Sequence, residues 1–121
     1  MKNKISINFY REEFECKCDC GFDTVDKILL DILENVRNYF GVPVEINSGC
    51  RCEAHNKAVG GSVNSQHRFG RAADIVVQGV TPSRVYSYLD ANYTDNYGLG
   101  LYDTFVHVDS RNRKARWDKT T

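Results

Sequence analysis

Apolar residues recur at helical spacing through "TVDKILLDILENVRNYF". Val25, Ile28, Leu29, Ile32, Leu33, Val36, Tyr39 and Phe40 fall on one stripe, which predicts an amphipathic helix. Asp23 or Thr24 can cap its start, and Gly41 followed by Pro43 ends it. The period then shortens. "VEIN" after Pro43 reads as a short strand, "CEAHNKAV" as a short helix closed by Gly60-Gly61, and "AADIVV" as a strand rich in β-branched residues. Thr81-Pro82 is a cap followed by proline at the first helical position, with Val85, Tyr86 and Leu89 as the inner face of that helix. "YGLGLY" and "FVHVD" read as two further strands joined by a tight turn near Asp103-Thr104. Three helices and about four strands, segregated along the chain, predict an α+β fold with a small antiparallel sheet.

The length of 121 residues fits a single domain spanning 1–121, and no internal repeat or linker divides it. Sixteen basic and sixteen acidic side chains cancel, which argues against a nucleic-acid binder. No apolar run approaches membrane-spanning length. "MKNKISINFY" lacks the apolar stretch of a signal peptide, so synthesis in the cytoplasm without one is expected, and a monomer is expected. Five cysteines form two clusters, Cys16, Cys18 and Cys20 in "ECKCDC" and Cys50 and Cys52 in "GCRC". Three readings stand open for them: partly buried thiols, one or two disulfides, or a structural zinc site, for which C-x-C is unusual spacing. Tyr86, Tyr88, Tyr93, Tyr97 and Tyr102 are expected to pack in the core, "RNRKAR" to be a solvated basic tail, and "GLG" to be too short for a nucleotide-binding fingerprint.

Candidate chemistry concentrates in "NSQHRFGRAADIVV". His67 lies in a polar loop and Asp74 on the following strand, with Gly70 between them to turn the backbone. Ala72 shares the parity of Asp74 and keeps that face open. A catalytic zinc site needs three protein ligands and an open fourth position. Of the two remaining histidines, His107 is the better third ligand. Alternation in "FVHVD" puts Phe105, His107 and Asp109 on one face and the two valines on the other, whereas His55 reads as a helix residue outside the ligand set. Arg51 is a permanent cation suited to developing oxyanion charge or to a substrate carboxylate.

These residues resemble a known family. "SQHRFGRAAD" is similar to the pattern S-x-H-x-x-G-x-A-x-D of the zinc D-alanyl-D-alanine carboxypeptidases, which include phage endolysins. "NSGCRCEAHNKAVGG" resembles the family's S-G-x-R element, and "FVHVD" followed by "ARW" resembles the C-terminal strand of its shortest members. The resemblance runs from about Phe9 to Trp117. It implies a fold like that of D-Ala-D-Ala peptidases and the hedgehog signalling domain, Zn²⁺ held by His67, Asp74 and His107, and substrate contacts from Arg51 and Ser65. The implied activity is hydrolysis of peptidoglycan stem or cross-bridge peptides at the bacterial cell wall. The alternative is a zinc-containing cell-wall-binding module of the same fold without turnover. The family's acidic residue or histidine a few positions before the last ligand has no match here, because Phe105 and Thr104 stand there. Asp109 is the preferred general base and Asp103 the other candidate; Asp109 can instead orient His107.

Overall fold

The computed structural model describes residues 4–18, 23–61 and 65–121. Three helices, α1 (Lys27–Phe40), α2 (Glu53–Ala58) and α3 (Pro82–Asn92), accompany five strands: β1 (Val44–Ser48), β2 (Ala72–Val77), β3 (Gly98–Leu101), β4 (Val106–Asp109) and β5 (Ala115–Asp118). The strands form one sheet in the order β1-β2-β4-β3-β5. Every pairing is antiparallel except β3 with β5, which is parallel. The fold is α+β, as the patterning predicts. Among the described residues no helix is long and apolar enough to cross a membrane.

The helical stripe is real but starts later than the pattern suggests. Asp26, not Asp23 or Thr24, caps α1 by accepting from the Leu29 N–H. Long-range bonds decide this. The Asp26 N–H donates to Gly70 O at 2.8 Å, and its carboxylate accepts from the Ser110 hydroxyl at 2.8 Å. Leu29, Ile32, Leu33 and Val36 are buried, while Ile28 and Tyr39, at the edges of the stripe, stay exposed. Thr81 caps α3 as expected, and Val85 and Leu89 are its buried residues.

Alternation along β2 and β4 sorts the sheet into two faces. Ala73, Ile75, Val77, Leu99, Val106 and Val108 are buried with the apolar residues of α1 and α3. The other face carries the chemistry, and register aligns it into a row. Ser48 pairs with Asp74, Asp74 with His107, His107 with Gly100, and Gly100 with Trp117. A slip of one residue in any pair would send these side chains to the core face.

"GLG" acquires its meaning from this register. A Cβ at Gly98 would overlap the Asp109 carboxylate, and one at Gly100 would overlap the Trp117 indole. The glycines let both side chains lie flat across β3. Gly100→Ala is therefore expected to cost about 1–3 kcal/mol, the usual price of overpacking. It should lower the urea midpoint and shift the emission of the single tryptophan, Trp117. Unchanged emission would mean that the indole does not rest on Gly100.

β5 corrects the reading of "RNRKAR" as a solvated tail. Arg113 and Lys114 are exposed, but Arg116 is drawn into the fold. It donates to Asp90 Oδ1 at 2.8 Å and to the carbonyls of Tyr97, Tyr93 and Asn96. These bonds fasten the C-terminal strand to α3 and to the loop before β3. The N-terminal segment is fastened likewise: Asn8 donates through its backbone N–H and side chain to Glu34 on α1, and Phe9 and Phe14 are buried.

Candidate metal centre

His67 is placed by a compact local device. Ser65 caps the short 3-10 helix Gln66–Phe69 and accepts from the His67 N–H at 3.2 Å. Gly70 follows with φ 66°, packed so tightly on the Thr24 backbone that no Cβ fits, and returns the chain into β2. His67 is thereby buried. Its Nδ1 lies 2.6 Å from Gly49 O, and its backbone oxygen accepts from the Arg51 N–H at 2.8 Å.

The imidazole geometry carries a chemical argument. A carbonyl oxygen only accepts, so Nδ1 of His67 must bear the proton. In the neutral ring, Nε2 is then a bare lone pair, and it points at Asp74 Oδ1 3.3 Å away. His107 repeats the pattern with the nitrogens exchanged. Nε2 lies 2.7 Å from Asp109 Oδ2 and Nδ1 lies 3.1 Å from the same Asp74 Oδ1, so a neutral ring that keeps its proton on the shorter contact, at Nε2, turns its Nδ1 lone pair toward Asp74. Two lone pairs converging on a carboxylate need a cation among them, either a proton or a metal ion. The ligand atoms of His67, Asp74 and His107 all lie within 4.8 Å of one another. Two imidazole nitrogens and a carboxylate oxygen, each ring anchored through its other nitrogen, suit zinc. With protons rather than a metal ion between these groups, burial pushes the Asp74 carboxyl up, but hydrogen bonds from His107 and His67 outweigh it and hold the carboxyl well below the usual range. Burial pushes His107 down, and its bonds to Asp109 and Asp74 raise it overall.

The centre opens into a cleft of about 340 Å³. Arg51 and Ser65 line it with the three candidate ligands, as do Gln66, Tyr102, Phe105, Arg111 and Trp117. Arg51 is held at three points: Nε on Ser48 Oγ at 3.3 Å, Nη1 on Asn56 Oδ1 at 3.3 Å, and Nη2 on Asp74 Oδ2 at 3.4 Å. Tyr102 stacks on Phe105 with ring centroids 4.4 Å apart and accepts from Trp117 Nε1 at 3.1 Å. The Trp117 ring lies 5.0 Å from that of His107.

Asp109, expected on the cleft as the general base, does not line it. The residue has no solvent exposure. Its carboxylate takes the N–H of Gly98 at 3.0 Å, the Arg111 guanidinium at 2.8 and 2.7 Å, the Arg111 N–H and His107 Nε2. Burial would raise this carboxyl, yet His107 and Arg111 hold it well below the usual range. It sits behind His107, bonded to the ring nitrogen Nε2 and away from the cleft lining. Asp103 does not line the cleft either; it is exposed on its turn and bonds the backbone and hydroxyl of Thr121. His55 lies on α2, outside the ligand group.

Arg111, Trp117 and Gln66 are cleft residues to which the sequence reading gave no role. Tyr86, Tyr88, Tyr93 and Tyr97 pack against the core as expected, but Tyr102 belongs to the cleft. One signal was available for Arg111, its position two residues after Asp109, where an arginine can fold back onto the carboxylate. Of the cysteines, Cys50 is buried and donates to Phe14 O at 3.1 Å; burial pushes its thiol up to about 11. For Cys16, burial raises the thiol, but hydrogen bonds from the backbone of Cys18 and Cys52 and from their thiols bring it down to about 7. Cys20 lies outside the described residues.

Compared with models of known families, the chain matches the one described as Peptidase M15 over residues 7–109. No curated protein matches it.

Proposed function

The chain belongs to the peptidase M15 family, and on that premise we propose that it is a zinc-dependent metallopeptidase that hydrolyses peptide bonds of bacterial peptidoglycan. The family is one of zinc metallopeptidases, and the His67, Asp74 and His107 group can bind a metal. The observation that carries the reading is the pair of anchored imidazoles whose remaining nitrogens converge on Asp74 inside an open cleft. The substrate is a stem or cross-bridge peptide of the cell wall, cut either as a terminal D-alanine or within the bridge, the latter being the chemistry of a phage endolysin.

Zinc bound there would polarise the scissile carbonyl and supply nucleophilic water near neutral pH. The remaining work falls to the chain. Gly49 O and Asp109 fix the two imidazoles in the tautomers that a metal ligand requires. Arg51 keeps a permanent charge beside the ligands, where it stabilises the developing oxyanion or anchors a substrate carboxylate. The Ser65 hydroxyl lines the cleft and can donate to substrate while it accepts from the His67 N–H. Tyr102, Phe105 and Trp117 form an aromatic wall that displaces water from one side of the substrate.

Asp109 is assigned to positioning. Asp109→Asn removes the acceptor on which both the His107 Nε2 proton and the Arg111 fork depend. Zinc affinity should fall about 10–100-fold, as for other lost outer partners, and activity should return with excess zinc. A variant that keeps full zinc occupancy yet stays inactive would instead make Asp109 the base.

One observation favours a second reading. Among the described residues, no carboxylate other than Asp74 lines the cleft. A cell-wall-binding module of the same fold, holding zinc without turnover, would look like this. Mass spectrometry of purified muropeptides incubated with the zinc-loaded protein separates the cases. New fragments that disappear on chelation support hydrolysis and identify the bond. Retention on peptidoglycan without new fragments supports the module, and the absence of both fragments and retention would overturn the cell wall as target.

A further inference from the structure

One group of metal-capable side chains takes no part in the cleft. Cys16 and Cys18 of the N-terminal segment meet Cys52, which caps α2, across a separation of 34 residues. Cys18 Sγ lies 3.4 Å from Cys16 Sγ and 3.4 Å from Cys52 Sγ. All three sulfurs fall within 4.8 Å of one another. A disulfide bond is about 2.05 Å long, so these sulfurs are not bonded to one another. Two thiolates placed about 2.3 Å from one zinc ion at tetrahedral corners stand about 3.8 Å apart. The observed spacing is close to that of sulfurs grouped round a shared ion. Backbone amides also point at them. The Cys52 N–H donates to Cys16 Sγ at 3.4 Å, and the His55 N–H to Cys52 Sγ at 3.4 Å. Such bonds favour the thiolate. Cys50 turns away from the group toward Phe14 O.

We propose that Cys16, Cys18 and Cys52 form a second metal site, distinct from the cleft, for a thiophilic divalent cation of the zinc type. The third ligand comes from a distant segment, which explains why C-x-C spacing alone does not show it.

The site clamps the N-terminal segment onto the loop that builds the cleft. The Cys50 N–H already donates to Phe14 O at 3.0 Å, and Gly49 packs so closely on the Phe14 backbone that a Cβ would not fit. Gly49 O anchors His67, and Arg51 lies between the two cysteines of that loop. An ion held by the three sulfurs therefore steadies both a ligand anchor and the cleft cation, without touching substrate.

The test uses the full chain, purified with a reductant and loaded with Zn²⁺ or Co²⁺. Elemental analysis should give about two zinc ions per chain in the wild type, and about one in both His67→Ala and the Cys16→Ser/Cys52→Ser double variant. The cobalt form should show the near-ultraviolet sulfur-to-cobalt charge-transfer band, which nitrogen and oxygen ligands do not produce. That band should survive in His67→Ala and in Cys50→Ser and vanish in the double cysteine variant. The wild-type spectrum needs no variant to fold. Its lack of the band would overturn the proposal, as would unchanged zinc content in a folded double variant, or a disulfide joining Cys52 to Cys16 or Cys18 in the reduced, metal-loaded protein. Because His67→Ala isolates the thiolate site, failure here leaves the cleft assignment standing, and failure of the cleft assignment leaves this one testable.

Discussion

His67→Ala is expected to empty the cleft of metal and to abolish hydrolysis. The substitution deletes the Nε2 ligand and also the Nδ1 bond to Gly49 O, so Asp74 and His107 are left as two ligands where catalytic zinc uses three. The loss of affinity should far exceed the roughly 10–100-fold that removal of an outer hydrogen-bond partner brings. Without the ion the reaction loses several kcal/mol of charge stabilisation, which corresponds to a rate loss on the order of a thousandfold or more. Elemental analysis and muropeptide turnover read the two effects separately. Because His67 is buried, His67→Gln serves as a bulkier companion, and circular dichroism checks that each variant folds. A folded His67→Ala protein with wild-type zinc content would overturn the ligand set. Retained turnover would do the same for the mechanism.

Arg51→Lys should leave the metal in place and slow hydrolysis about a hundredfold or more, comparable with deletion of an oxyanion donor. Lysine keeps the charge but not the planar fork. The arginine spreads its donors over Ser48, Asn56 and Asp74 at once, with the side chain only 14% exposed. An ammonium cannot reproduce that three-point hold, so its charge would sit in a different place relative to the ligands. The kinetic split tells which role Arg51 plays. A fall in kcat with little change in KM marks stabilisation of charge that appears only in the transition state; a rise in KM alone marks a carboxylate anchor. Near-normal values of both would return Arg51 to a structural role holding Asn56 and Asp74 in place.

Asp109 shows where local reasoning stops. Parity along "FVHVD" correctly put His107 and Asp109 on one face, opposite Val106 and Val108. Parity says nothing about what covers that face. Gly98 leaves room for the carboxylate, and Arg111 folds over it, so the residue two steps from the ligand is sealed while the ligand itself reaches the cleft. The same distinction applies to the helix start. Asp23, Thr24 and Asp26 are all plausible caps by residue type, and bonds from Asp26 to Gly70 and Ser110, the latter 84 residues away, select one.

The sequence by itself determined the elements whose signal is local: the α1 stripe, the Thr81-Pro82 start of α3, the alternation of β2 and β4, and the loop that carries His67 into Asp74. Side-chain periodicity of 3.6 or 2 residues is imposed by backbone geometry within each segment, so it can be read without knowing the partner. Tertiary structure alone decided the row Ser48, Asp74, His107, Gly100 and Trp117, the parallel seat of β5 beside β3, and the meeting of Cys52 with Cys16 and Cys18. Each of these depends on register or contact between segments far apart in the chain. Such pairings follow from how the whole apolar face packs, and no single segment's pattern contains them.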